Sequence, residues 1–294
     1  MVTPGRSLLI ACVVVVVAGL VDGADAGPGA GSSSRGMIVY WSESPFPSIW
    51  AIRPDGSHRF RILRNHQNAK RPALSPDRRW VAFDGAPPGK APLSDFDLQI
   101  VRLDGTGRKT LTRSSRWDVD AQWSPDGRRL SFSRQPPRSS GVARSVVWII
   151  DRDGTDLRRL VPGYGARWAP DGTRLVYRAP SDATGRLFTI NADGSEKHVV
   201  LSVRDAVQPT GWSPDGTKIL FTRFHNEGAD VDVMNSDGTN VRRLARGYGG
   251  SWSPDGTSIV YTATAGTTSL RIMDTDGSSK RGIASGPAAD PTWR

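Results

Sequence analysis

Between residues 37 and 294 apolar and polar positions alternate in short runs that recur in phase. Lys218-Ile219-Leu220-Phe221, Ser258-Ile259-Val260-Tyr261, Arg174-Leu175-Val176-Tyr177 and Arg129-Leu130-Ser131-Phe132 form one such set. Alternation over so short a run predicts β-strands rather than helices. The same punctuation precedes each: Trp123-Ser124-Pro125-Asp126-Gly127, Trp212-Ser213-Pro214-Asp215-Gly216 and Trp252-Ser253-Pro254-Asp255-Gly256. Trp168-Ala169-Pro170-Asp171-Gly172 lacks only the serine, and Leu74-Ser75-Pro76-Asp77-Arg78 lacks the tryptophan and the glycine. Trp293 begins a sixth copy.

Each residue of this punctuation has a physical task. Proline fixes φ for the first corner of a tight turn, aspartate accepts from nearby backbone N–H groups, and glycine takes positive φ without a Cβ penalty. Together they predict a short hairpin loop closed by a glycine bulge. Arg78 in the glycine position costs roughly 1 kcal/mol if that residue must be left-handed, so this turn is expected to differ from the others.

A second turn alternates with the first. Asp-Gly recurs at Asp55, Asp104, Asp153, Asp193, Asp237 and Asp276, each after an apolar run such as Val147-Trp148-Ile149-Ile150. A shorter polar run follows, as in Leu157-Arg158-Arg159-Leu160. One repeat is therefore four strands, A to D, with the first turn between A and B and the second between C and D. Six repeats of about 43 residues fall within the ~40–50 of propeller blades. The predicted fold is all-β: a six-bladed propeller with four antiparallel strands per blade. Met37 to Trp41 reads as a B strand without an A, and Asp290 to Trp293 as an A strand without a B. Their pairing would close the ring and remove a terminal edge. The tryptophans are expected to pack between neighbouring sheets rather than to stack on a ligand.

The two alternating motifs resemble the WD-like propeller repeat of the TolB family, over residues 37–294. The resemblance implies a propeller that works by protein binding in the cell envelope. TolB carries a separate α/β domain before its propeller; here a signal and a leader are expected there, so TolB's partner contacts are not carried over. The repeat also resembles that of propellers covering α/β-hydrolase peptidases, but no Gly-x-Ser-x-Gly elbow is present.

Residues 1–26 have the pattern of a secretory signal peptide: Arg6, then an uncharged apolar run from Leu8 to Val21, then the small-x-small site Ala24-Asp25-Ala26. An uncleaved signal would be the one membrane attachment. Residues 27–36 read as a flexible Gly/Ser leader. The one cysteine, Cys12, lies inside the signal. The expected mature protein thus has no disulfide and relies on its core. Export predicts a periplasmic, cell-surface or secreted monomer.

The formal net charge is +10 and comes mostly from arginine. This suits an acidic envelope polymer or an acidic protein partner; a solvated arginine-rich surface is the simpler alternative. No recognition helix, finger or base-stacking strand motif points to nucleic acid. Asp151-Arg152-Asp153-Gly154 and Asp274-Thr275-Asp276-Gly277 begin like calcium loops but lack the later ligands, so they read as turns. His58, His66, His198 and His225 show no metal-ligand spacing. No metal and no cofactor are expected.

Candidate binding residues lie in the variable B–C and D–A loops, which share one face of the ring. Arg113, Arg116, Trp117, Tyr164, Arg204, His225, Arg246 and Tyr248 lead, with Asp118, Arg138, Arg144 and Asp205 near them. Gly163-Tyr164-Gly165 and Gly247-Tyr248-Gly249 hold the same position in two repeats, expected near the channel mouth. The expected function is a non-enzymatic binding scaffold. The alternative is a lyase, lactonase or hydrolase with a polar site at the mouth, since propellers host both.

Overall fold

The computed structural model describes residues 36–43, 47–63, 68–86, 96–136, 144–180, 185–264 and 268–294. Two compact units are distinguished, Met1–Ser33 and Ser34–Arg294. The first, with the expected signal peptide, lies outside the described residues, as do His66 and Arg138. The described part of the second unit is an all-β propeller.

Its strands follow the repeat. β1 (Ile38–Ser42), β2 (Ser48–Ile52) and β3 (Phe60–Arg61) come first. β4 (Lys70–Leu74), β5 (Trp80–Gly85), β6 (Asp97–Arg102) and β7 (Lys109–Thr110) make one sheet in that order. β8 (Trp117–Trp123), β9 (Arg129–Gln135), β10 (Val146–Asp151) and β11 (Arg158–Pro162) make the next. β12 (Tyr164–Trp168), β13 (Arg174–Arg178), β14 (Gly185–Asn191) and β15 (His198–Val203) make another. Then come β16 (Ala206–Trp212), β17 (Lys218–His225), β18 (Gly228–Asn235) and the long β19 (Arg242–Trp252). β20 (Ser258–Ala263), β21 (Ser269–Asp274), β22 (Arg281–Ser285) and β23 (Ala288–Trp293) complete the chain.

β16 to β22 form one seven-stranded sheet. β19 belongs to two hairpins in it: Arg242 to Arg246 pair with β18, and Gly247 to Trp252 pair with β20. β23 lies beside β1, antiparallel, with Ile38 opposite Trp293 and Ser42 opposite Ala288. Met37 N–H donates to the Arg294 carbonyl at 2.7 Å. The first and last strands thus share a sheet. The inner strands touch their neighbours in turn, β4, β8, β12, β16, β19 and β23, and β23 meets β4 again.

The tryptophans that end the inner strands sit between sheets. Trp123, 1% exposed, packs with Ala73, Leu98 and Ile100 of one sheet and Leu130 and Phe132 of the next. Trp168, Trp212, Trp252 and Trp293 repeat this arrangement.

The turns are built as their residues require. In the first, Ser124 Oγ donates to Asp126 Oδ1 at 2.5 Å, and Arg128 N–H donates to the same oxygen at 3.0 Å. In the second, Asp153 Oδ1 accepts from the Thr155 N–H and hydroxyl. The Arg78 turn does not differ from its siblings. Arg78 has φ 57° where Gly127 has 67° and Gly216 has 73°, and its N–H donates to the Ser75 carbonyl as theirs do to Ser124 and Ser213. The surrounding contacts impose the left-handed conformation and the strain is borne.

Candidate binding cavity

Strands β4, β8, β12, β16, β19 and β23 line a cavity of about 370 Å³. It runs inward from Pro76, Pro125, Pro170, Pro214 and Pro254 of the Ser/Ala-Pro-Asp turns to a floor that includes Arg71, Asp120, Arg167, Gln208, Tyr248 and Asp290.

One position fixes this floor. Three residues before the terminal Trp or Leu of each inner strand stand Arg71, Asp120, Gly165, Pro209, Gly249 and Asp290. Five of them have positive φ, from 47° to 70°. Pairing with the adjacent strand slips there, a β-bulge that re-aims the side chain. Pro209 cannot take positive φ, and in β16 the slip falls instead between Pro209 and Gly211. Arg71, Asp120 and Asp290 bear a left-handed conformation that costs an ordinary residue about 1–2 kcal/mol. Hydroxyls of earlier strands hold two of the bulges: Gly165 N–H donates to Ser133 Oγ of β9 and Gly249 N–H to Thr222 Oγ1 of β17, both at 3.0 Å.

The re-aimed side chains form a charged cluster. Arg71 grips Asp84 with two bonds, Nε to Oδ1 at 3.0 Å and Nη2 to Oδ2 at 2.8 Å. Asp84 Oδ1 also accepts the Asp120 N–H at 3.2 Å. Arg167 in turn grips Asp120 at 2.9 and 3.2 Å, and its Nε donates to the Thr210 carbonyl. Asp290 Oδ2 accepts the Trp41 indole N–H at 2.8 Å. Burial raises the Asp84 carboxyl above the usual carboxylate range against the pull of Arg71. Burial also opposes the Arg71 charge, but Asp84, with Tyr164 and Asp120 beyond it, prevails and keeps the guanidinium protonated. Burial raises Asp290 as well, opposed by the Trp41 hydrogen bond and by Arg71. The Tyr164 phenol is raised by burial and then by Asp120.

The sequence candidates fall in four places. Tyr248 lines the cavity. Tyr164 is buried beside Val119 and Phe96, with the half-buried Trp117 edge-on to Phe96 at 5.2 Å. His225 and Arg246 meet at 3.3 Å on the β17–β18 hairpin and β19, where His225 Nε2 lies 3.2 Å from Asp230 Oδ2 and Arg246 lies 3.5 Å from Glu227. Arg113, Arg116 and Arg204 are exposed between strands. Asp118, by contrast, is spent on Arg134 at 2.7 and 2.8 Å. Sequence reasoning did not single out Arg71, Asp120, Arg167, Gln208 or Asp290. For Arg71, Asp120 and Asp290 the available signal was the shared position three residues before the terminal Leu or Trp of the inner strand; Arg167 and Gln208 carried none. Among the described residues no group of three or more His, Cys, Asp or Glu gathers as a metal site.

A ring of inner strands around a central cavity defines a β-propeller domain. The family model for the TolB beta propeller domain matches residues 54–294, and the chain belongs to that family. TolB from Acinetobacter baumannii superposes with a TM-score of 0.76 at 19% identity, over 89% of this chain and 67% of that one. A putative TolB from Agrobacterium tumefaciens gives 0.66 at 16% identity, over 90% and 98%. A chain of a nidogen/laminin complex gives 0.68 at 12%, over 88% and 97%. At these identities the solved structures speak for the fold alone. No curated protein matches the chain.

Proposed function

We propose that the protein is an exported, non-enzymatic propeller that binds a protein partner in the cell envelope, with the central cavity as the seat. In this reading β19 serves two blades, as outer strand of one and inner strand of the next, which gives six. The observation that carries the binding role is the mutual engagement of the floor charges. Arg71 is spent on Asp84 and Arg167 on Asp120, so these groups form a fixed polar surface rather than free acids or bases. A preorganised surface of this kind gains affinity because little is ordered on binding. A lyase, lactonase or hydrolase needs a titratable group free to move a proton at the reacting atom, and these four are held.

The loop face with exposed Arg113, Arg116, Arg204 and Arg246 is the second proposed surface, suited to an acidic envelope polymer. A photo-crosslinking amino acid at Gln208 tests the cavity, and one at Arg116 tests the loops. The expected result is a discrete protein adduct from position 208 in intact cells. Adducts from neither position would overturn the binding reading.

A further inference from the structure

Four of the Ser/Ala-Pro-Asp turns lean on the turn before them around the ring. A Cβ added at Gly127 would lie 3.7 Å from Pro76 Cδ, and one at Gly172 3.8 Å from Pro125 Cδ. At Gly216 it would lie 3.3 Å from Pro170 Cγ, and at Gly256 3.6 Å from Pro214 Cδ. Position 78 is the same place in the turn after β4, and its arginine has the same left-handed backbone. The inner strand that meets β4 from the other end of the chain is β23. There Trp293 is followed by Arg294 where the other tryptophans are followed by serine or alanine. The two arginines that depart from the turn pattern thus share one junction. Position 78 is aimed at the place that Arg294 holds, and both residues line the cavity.

Among the described residues four arginines line this cavity, Arg71, Arg78, Arg167 and Arg294. Arg71 and Arg167 each grip a carboxylate, Asp84 and Asp120. The side chains of Arg78 and Arg294 hydrogen-bond or ion-pair with no described residue. Arg294 Nε is buried without a partner. Burial works against its charge, and no carboxylate is set against that burial. A desolvated guanidinium without an anion is costly, and an anion in the right place recovers the cost. Arg78 meanwhile keeps a strained backbone that a glycine would relieve, and such strain gathers where a ligand is held. We infer that Arg78 and Arg294 form an oxyanion subsite on the cavity rim, at the junction of β4 and β23, which takes a carboxylate or phosphate group of the ligand. A guanidinium presents a planar fork of donors that matches either group, so two forks from adjacent blades clamp one oxyanion. The subsite rests on the reading of the cavity as the seat of binding and adds the chemistry of what enters it.

Titration of the full, nitrogen-15-labelled chain with sodium phosphate, and separately with sodium acetate, tests the subsite without any partner. The arginine Nε–H signals and the Trp293 indole signal should shift and saturate with at least one anion, and the tighter of the two names the group. Arg78→Gly and Arg294→Ser install the residues that the other turns carry, so the fold should persist while each weakens binding about tenfold. Arg79→Ser removes a neighbouring charge that does not line the cavity and should leave binding unchanged. No saturable shift with either anion, or R78G and R294S proteins that bind as wild type does, would overturn the subsite. Crosslinking from position 208 separates it from the reading it rests on. An adduct that falls about tenfold in the R78G/R294S double variant supports the subsite. An adduct kept at full yield overturns the subsite and leaves the cavity as the seat. Absence of any wild-type adduct counts against the seat, and the anion titration then decides the subsite by itself.

Discussion

The Trp123 indole N–H donates to the Ala73 carbonyl at 2.9 Å, from the inner strand of one sheet to that of the sheet before it. Trp212 does the same to Arg167 at 3.2 Å, whereas the Trp168 indole nitrogen is buried without a partner. The five tryptophans therefore share a packing role but not a hydrogen-bonding one. Trp123→Ala should cost about 3–5 kcal/mol through the lost core volume. Trp123→Phe keeps most of that volume and leaves the Ala73 carbonyl unpaired, so about 1–3 kcal/mol of its cost comes from the bond. Trp168→Phe lacks that contribution. Urea titrations should rank W123A as most destabilised, then W123F, then W168F.

The Arg71–Asp84 pair gives a second expectation. Asp84→Ala leaves the part-buried Arg71 without its bidentate partner; a fully buried broken pair costs about 3–5 kcal/mol, and the cavity-facing guanidinium should bring the loss below that. Replacing both residues, as in R71M/D84L, removes the uncompensated charge, so the double variant should be more stable than D84A. Chemical denaturation of both against wild type measures this. A double variant less stable than D84A would show that the pair is needed to hold the Asp120 bulge.

How much of this was legible in the sequence differs from layer to layer. The turns and the tryptophans repeat residue by residue, so the blade, its four strands and the pairing of the chain ends could be read directly. The floor repeats in backbone conformation instead. Arg71, Asp120, Gly165, Gly249 and Asp290 share a left-handed φ but not a residue type, and only the two glycines advertise it. Tyr164 and Tyr248 looked equivalent by position, yet Tyr164 is buried and Tyr248 lines the cavity. Variable loops drew attention to Arg113, Arg116 and Arg204, while the chemistry of the cavity sits on strands.

Arg78 offers a test by repair. Its φ of 57° strains an arginine and suits a glycine. Arg78→Gly should gain about 1–2 kcal/mol from relieved strain, less about 0.5–1 kcal/mol for the freer unfolded chain. A small rise in urea midpoint at unchanged m-value is expected. A fall would mean that the exposed side chain contributes more than the strain removes.

Acid should unfold the protein through its turns. Hydroxyl and then backbone hydrogen bonds from Thr106, Thr155, Ser195, Thr239 and Ser278 hold the Asp104, Asp153, Asp193, Asp237 and Asp276 carboxyls below the usual range. A depressed folded pKa means that the unfolded chain binds more protons. This stability is complete above the unfolded carboxylate value of about 4 and is lost as pH falls through the folded values. Asp84 and Asp290, both raised by burial, act the other way: they favour the folded state as pH falls through their own folded values. The contribution of the turns should therefore be constant above about pH 5 and be lost below about 4. Asp153→Asn should reduce that acid slope, measured by urea midpoints across the range.

Closure of the ring makes the last and strictest test. Ala289 and Trp293 pair with Trp41 and Ile38, and Trp293 packs with Tyr40, Val260 and Ile272. Deleting residues 289–294 strips β1 of one neighbour and opens the core between the first and last sheets. A large loss of cooperativity in urea unfolding is expected, not a small shift of midpoint. The same logic predicts that the position of the chain break is immaterial. Met37 N–H and the Arg294 carbonyl are 2.7 Å apart, so a short Gly/Ser linker can join them. New ends opened in the exposed Glu227-Gly228 turn should then leave the fold and its near-ultraviolet circular dichroism intact, since exposed turns tolerate permutation. A permuted chain that fails to fold while the truncated one succeeds would show that β23 is dispensable and that the ring is held elsewhere.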